Sequence, residues 1–341
     1  MNGMPSPYQV VIVGCGNIGG GFDTDRSPDV WPLSHAAAFT RHDGFQIKAC
    51  VDPDEGRCKA FASRWGIGLQ APDMVFLTPI LGPIDVVSIC SPTSMHHDHV
   101  IQAIELQPKV IFCEKPLTTD IVSSLAVVEA CKAREIALAV NFSRQWDPSV
   151  EELIYQLQEG RWGIIRSVVG HYNKGILNNG SHMIDLLFRL VGDLELVTTT
   201  CSTLDFWDND PTIAALLTAR GGTVPVYLNP GHARDYAFFE LEIVCEKGVV
   251  RMRSGGISWE SREAHPSAEF TGYRTLDEAV LTPGRYMRTM TCAINDLYNF
   301  LATEVPIRSK GENAVKVQTL CTQIQRAALA QCTPNYEKSE T

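Results

Sequence analysis

The sequence predicts an α/β protein of two domains. Residues 1–142 should form a parallel sheet with helices on both faces, and residues 143–341 an α+β domain with a large, mostly antiparallel, open-faced sheet. Three observations carry this expectation. Up to about residue 142, short apolar runs alternate with helical segments, the pattern of strands buried on both faces. The first run stops at three glycines, Gly14, Gly16 and Gly19, spaced G-x-G-x-x-G. Beyond about residue 150, strand-like runs follow one another with few helices between them, as in antiparallel sheets with one exposed face.

The glycine turn is the most specific feature. In VVIVGCGNIG, Val10–Gly19, a buried strand ends and the chain turns tightly at Gly14. Gly16 lets the backbone approach a pyrophosphate, and Gly19 lets the following helix pack closely, its N-terminus facing the phosphates. Asn17 and Ile18 belong to the same turn. The second strand, FQIKACVD, ends on Asp52, a carboxylate able to accept both adenosine ribose hydroxyls. That makes the first domain a Rossmann-type dinucleotide site. Pro53, Asp54 and Glu55 follow Asp52 and no arginine follows directly, which favours NAD over NADP. The gap to Asp52 exceeds the usual ~20 residues. The excess lies in GGFDTDRSPDVWPL, residues 20–33, which cannot be the interior of one regular helix. The first crossover helix is therefore expected to be interrupted by a loop that exposes Asp25 and Trp31. It should resume near SHAAAFTRH, with Ser34 as N-cap.

The other elements follow in order. IDVVSICSP, KVIFCEKP and IALAVNFS read as further strands. RCKAFASRWG, HHDHVIQAIELQ and IVSSLAVVEACKARE read as helices. Ligands collect at the carboxyl ends of such strands, where Ser91, Pro92, Thr93, His96, Glu114, Lys115, Asn141 and Arg144 stand. In the second domain VEELIYQLQEG and HMIDLLFRLVG read as helices. IIRSVVGHY, LELVTTTCSTL, AALLTA, VPVYLNPG, FFELEIVCEKG and VVRMRSG read as strands. Residues 260–284 look loop-like and 285–331 helical, leaving the last helices free to pack back on the first domain.

Composition narrows the function. The 341 residues are 45% hydrophobic and 20% charged, with a formal charge of -10. No basic stripe appears, which argues against nucleic acid and anionic membrane as partners. No apolar run reaches the ~18 residues of a membrane span, and the N-terminus lacks a signal core. The eleven cysteines show no C-x-x-C and no paired metal spacing. They read as buried reduced thiols of a cytoplasmic protein, with no metal expected.

Three further motifs carry chemistry. SPTSMHHDHV ends a strand at Ser91-Pro92 and opens a helix at His96. CEKP places Lys115 at a strand end between Glu114 and Pro116. NNGSHMID sets His182 and Asp185 on one helix face at i, i+3. With GCGNIG, Asp52 and NFSRQWDP, these stretches resemble the family of glucose–fructose oxidoreductase, inositol dehydrogenase and MocA, over Val10 to about Val250. The resemblance implies an NAD(P)-dependent oxidoreductase of sugars, cyclitols or nucleotide sugars, working as a homodimer or homotetramer. It implies that Lys115 lies near the reacting hydroxyl and that His182 transfers the proton. Asp185 matches the helix acid that follows, His96 a residue of the cofactor groove, and Arg144 one beside the substrate. Many members carry aspartate where this chain has Asn178, which cannot ionise, so Lys115 and His182 must share the proton. The run containing Tyr172, Lys174 and Asn178 looks most like members acting on nucleotide sugars and suggests further substrate contacts.

Oxidising a secondary alcohol asks for these residue types. The nicotinamide takes the hydride, and the protein supplies a base and a group that stabilises alkoxide character. Two other readings stay open: a non-catalytic regulator that senses NAD or sugar, and a glycosidase that uses NAD transiently.

Overall fold

The computed structural model describes residues 6–77 and 80–332. The chain divides into two compact units. One runs up to Asp147 and takes in Met287–Lys316; the other comprises Pro148–Tyr286 and the chain from Val317 on.

The first unit holds six strands: β1 (Tyr8–Val13), β2 (Phe45–Val51), β3 (Leu69–Ala71), β4 (Val86–Ile89), β5 (Val110–Cys113) and β6 (Ala137–Val140). They form one parallel sheet in the order β3-β2-β1-β4-β5-β6. The order reverses direction beside β1, the crevice where such sheets bind ligands. Helices α1 (His35–Thr40), α2 (Glu55–Trp65), α3 (His96–Glu105) and α4 (Ile121–Ala133) make the crossovers. Their ends follow local chemistry. The Asp54 carboxylate accepts the Arg57 N–H at the start of α2, and Gly66 closes it in the left-handed region. Asp120 caps α4 through the Ser123 N–H. Val10–Val13 are completely or almost completely buried, and burial of each such side chain contributes about 1.5–3 kcal/mol. β3 is three residues long and lacks any pattern that would have announced it.

The sheet ladder continues one residue past β1, β4, β5 and β6. Gly14 N–H donates to Val51 O, Cys90 N–H to Val13 O, Glu114 N–H to Ile89 O, and Asn141 N–H to Cys113 O. The residues with chemistry to offer are thereby fixed at the carboxyl edge by backbone geometry.

The second unit contains α5 (Pro148–Gln158), β7 (Ile165–Tyr172), α6 (Ser181–Val191), β8 (Leu194–Trp207), β9 (Asp210–Ala219), β10 (Val224–Pro230), β11 (Phe239–Cys245) and β12 (Gly248–Arg253). β13 (Ser258–Pro266), β14 (Arg274–Leu276) and β15 (Val280–Pro283) follow. The nine strands run β14-β13-β12-β11-β7-β10-β9-β8, with β15 also paired to β13. All pairings are antiparallel except β7 with β10. Burial alternates along β9, β11 and β12, so one face is covered and the other open. α6 lies close on the covered face: a Cβ on Gly170 of β7 would stand 2.8 Å from Met183 Sδ. α7 (Thr289–Thr303) and α8 (Gly311–Cys332) complete the described chain.

The loop expected over residues 260–284 is instead β13 to β15. Charged cross-strand pairs replace the apolar alternation that would have signalled strands. Glu260 on β13 binds Arg251 at 2.9 Å and Arg253 at 2.7 Å across from it. Strands held by charged pairs read as polar loop in sequence.

Candidate active site

In the first unit the glycine turn has the shape that a phosphate needs. Gly14 has φ +99°, and a Cβ there would meet the Cys90 carbonyl carbon at 2.6 Å. A Cβ on Gly19 would stand 2.3 Å from Gly14 O, whereas nothing lies within 4 Å of one on Gly16. The backbone is thus packed at Gly14 and Gly19 and open at Gly16, the cradle a dinucleotide pyrophosphate would enter. Gly20 N–H donates to Gly16 O, then His35 N–H to Ile18 O and Ala36 N–H to Gly19 O. These last bonds splice α1 onto the first turn, so that Phe22–Ser34 is looped out of a single helix. Asp23 closes the loop's neck by accepting Leu33 N–H, Ser34 N–H and Ser34 Oγ–H at 2.9, 2.7 and 2.6 Å. Ser34 stands at the N-cap of α1 but makes no side-chain cap bond, because its hydroxyl serves Asp23. Trp31 is 43% exposed, with the Arg288 guanidinium 4.9 Å over its ring.

Asp52 is almost fully buried at the tip of β2. Its carboxylate accepts Cys15 N–H and Asp54 N–H, both at 2.9 Å. It also takes a two-pronged bond from Arg57, at 3.0 and 2.8 Å. Burial pushes its pKa up, but Arg57 and the two amides outweigh this and hold it below the usual carboxylate range. Arg57 was missed because only helix geometry brings it back from the first turn of α2.

Residues from three neighbouring strands, β4, β5 and β6, gather around a histidine that sequence reading also missed. His35 is fully buried, with Nδ1 2.7 Å from Ser88 Oγ and Nε2 2.8 Å from Glu114 Oε1. Asn141 Nδ2–H donates to the same Glu114 oxygen at 2.6 Å, and Glu114 Oε2 accepts the Lys115 N–H at 3.2 Å. Burial pushes His35 down, yet Cys90 and Glu114 reverse this and raise it to about 10. Burial likewise pushes Glu114 up, while His35 and Asn141 pull it below its ordinary value. The residue before the proline in CEKP is therefore anchored by a buried polar network. The Lys115–Pro116 peptide is cis. His96, expected to line a cofactor groove, is 1% exposed. Its Nδ1 lies 2.9 Å from Pro116 O and its Nε2 2.9 Å from Ser91 O. It braces the loops after β4 and β5 through their backbones rather than opening onto a groove. Ser91 Oγ is 2.8 Å from His99 Nδ1. Pro92 and Thr93 begin the short turn that leads into α3. Arg144 is buried in the turn Ser143–Trp146.

In the second unit, residues Gly175–Gly180 form one turn of π-helix ahead of α6, a distortion frequent at functional sites. It starts with Lys174 at φ 66° and Gly175 at φ 85°. Side chains from β8 and β9 hold it. Asp205 accepts Lys174 N–H at 3.0 Å, and Thr212 Oγ1 accepts Gly175 N–H at 2.8 Å while donating to Asp205. Asp210 accepts both Leu177 N–H and Asn178 N–H, at 2.9 and 2.8 Å. The Asn178 amide turns back to donate to Lys174 O at 3.2 Å. His182 is half-buried on the first turn of α6 and Asp185 is buried one turn on. The Lys174 ammonium sits 5.3 Å over the Phe206 ring. Tyr172 is corrected as a substrate contact. It is 0% exposed, and its hydroxyl donates to Ile213 O at 2.7 Å and accepts Ile213 N–H at 2.8 Å. A side chain committed to bridging β7 and β9 has nothing left for a ligand.

Among the described residues no helix is long and apolar enough to cross a membrane. Residues 8–142 match the model of an oxidoreductase family with an NAD-binding Rossmann fold, that of glucose–fructose oxidoreductase, inositol dehydrogenase and MocA. The chain is 30% identical to inositol 2-dehydrogenase 3 of Saccharopolyspora erythraea, over 61% of this chain and 66% of that protein. It is 36% identical to the scyllo-inositol 2-dehydrogenase (NAD(+)) of Bacillus subtilis, over 35% of this chain and 34% of that one. These matches thus span between a third and two thirds of the relatives. An Agrobacterium radiobacter oxidoreductase, solved with NAD+, L-tartaric acid and magnesium, shares the fold. Its TM-score is 0.74 and its identity 18%, over 96% of this chain and 97% of that one. The open glycine turn, the acidic tip of β2 and the anchored Lys115 all lie within residues 8–142, and that segment belongs to this family of NAD-binding oxidoreductases.

Proposed function

We propose that the chain is an NAD-dependent dehydrogenase or ketoreductase acting on a secondary alcohol or ketone of a cyclitol, sugar or nucleotide sugar. The observation that carries the reading is the Glu114 network. A buried histidine, an asparagine and the Lys115 amide all converge on one carboxylate at the strand tips, beside an open glycine turn. The inositol dehydrogenases among the relatives favour a ring polyol as substrate. Residues 1–142 hold the cofactor in this reading and residues 143–341 the substrate, and the open sheet face packs against a second copy in a homodimer or homotetramer.

The bound nicotinamide supplies the hydride chemistry. Gly14 to Gly19 and Asp52 hold the dinucleotide. The Lys115 ammonium stabilises negative charge growing on the substrate oxygen. His182 takes or gives the hydroxyl proton, and Asp185, one turn along α6, orients it. Asn178 cannot ionise, so in this reading the proton chemistry falls to Lys115 and His182. Arg144 and Lys174 contact the substrate.

The test follows NADH absorbance with a panel of inositols, sugars and nucleotide sugars, in the wild type and in Lys115→Ala and His182→Ala. A cyclitol or sugar should turn over, with kcat lowered at least ~100-fold in each variant and NAD+ affinity kept. Full turnover in Lys115→Ala would refute the assigned chemistry. Tight NAD+ binding with no turnover of any substrate would favour a regulator.

A further inference from the structure

Three cysteines distant in sequence converge inside the first unit. Cys15 lies in the glycine turn, Cys50 on β2 and Cys58 on α2. Their sulfurs all lie within 4.8 Å of one another, and Cys50 Sγ and Cys58 Sγ are 3.7 Å apart. All three residues are at most 5% exposed. Backbone carbonyls surround the group. Cys15 Sγ is 3.8 Å from Val51 O, Cys50 Sγ is 3.9 Å from both Cys58 O and Leu69 O, and Cys58 Sγ is 3.8 Å from Cys50 O and Ala71 O.

The geometry points to a three-sulfur site for a soft monovalent cation, Cu(I), formed by Cys15, Cys50 and Cys58 beneath the glycine turn. Metal–thiolate bonds of about 2.3 Å arranged in a plane put the sulfurs about 4 Å apart. The Cys50–Cys58 pair stands at 3.7 Å and no pair exceeds 4.8 Å, so small side-chain adjustments close the ring. Thiolates select copper(I) and zinc. Zinc seeks a fourth ligand in a tetrahedron, and among the described residues the group consists of these three alone; copper(I) accepts three. On binding, the ion displaces the thiol protons to solvent, and no electrons move. The sequence intervals conceal the site, because none has metal-motif spacing.

The site does not depend on the proposed reaction and can be tested apart from it. Reduced, metal-free full-length protein is titrated anaerobically with Cu(I) against a chromogenic Cu(I) chelator. X-ray absorption of the loaded wild type then counts the ligands without any substitution. One tight equivalent per chain and three sulfur neighbours are expected. Cys50→Ala and Cys58→Ala should lose that equivalent while keeping the wild-type circular dichroism. Cys201→Ser, at an exposed thiol, should retain it. The site is overturned if the wild type outcompetes no chelator, if fewer than three sulfurs surround the metal, or if Cys201→Ser abolishes binding.

Discussion

The π-helical turn before His182 should depend on one carboxylate. Asp210 is 5% exposed and accepts two successive N–H groups, from Leu177 and Asn178. A Cβ on Gly175 would stand only 2.1 Å from Asp210 Oδ2, so no larger residue fits beneath the turn. Asp210→Ala leaves both donors without their partner. Hydrogen bonds to charged groups contribute about 1.5–3 kcal/mol each, and two on one carboxylate are not additive. We expect a local loss of about 3–4 kcal/mol, which corresponds to roughly 100- to 1,000-fold easier opening of the turn. Amide hydrogen exchange at Leu177 and Asn178 should accelerate by that factor, while β5 in the other unit stays unchanged. Asp210→Asn keeps one acceptor and should fall between. Exchange at these two amides within threefold of wild type in Asp210→Ala would refute the reasoning.

Two further perturbations act in the first unit. His35 has its pKa raised to about 10 against an ordinary value near 6.5. Its contribution to stability is therefore present in full below about pH 6.5 and is lost as pH rises through about 10. The thermal midpoint of the wild type should fall across that window and that of His35→Gln should fall less; parallel curves would contradict the buried pairing with Glu114. Arg57 neutralises Asp52 where an adenosine ribose would lie, and it is half exposed. Allowing for solvent screening, Arg57→Ala should weaken binding of NADP about tenfold relative to NAD, read from the two dissociation constants. Equal change for both cofactors would deny Arg57 any part in choosing between them.

Much of the cofactor half was legible in the sequence, because its signals are local. A strand that must stop at Gly14 and an acid at the tip of the next strand are both dictated by neighbouring backbone. The interruption at residues 20–33 was legible for the same reason: Pro28 and Pro32 cannot sit within one helix. What replaced the interruption was not. The splice from Ile18 to His35 is a pair of hydrogen bonds across the neck of a loop, and no local pattern records it.

The chain by itself determined which residues lie at strand ends, because apolar run length and glycine placement fix where strands stop. Only the folded chain decided what those residues face. Tyr172 turned inward to Ile213, His96 onto loop carbonyls, Arg57 back onto Asp52, and three cysteines toward one another. Each of these contacts depends on strand register, helix rotation or loop path, which add direction to position and which a one-dimensional pattern does not contain.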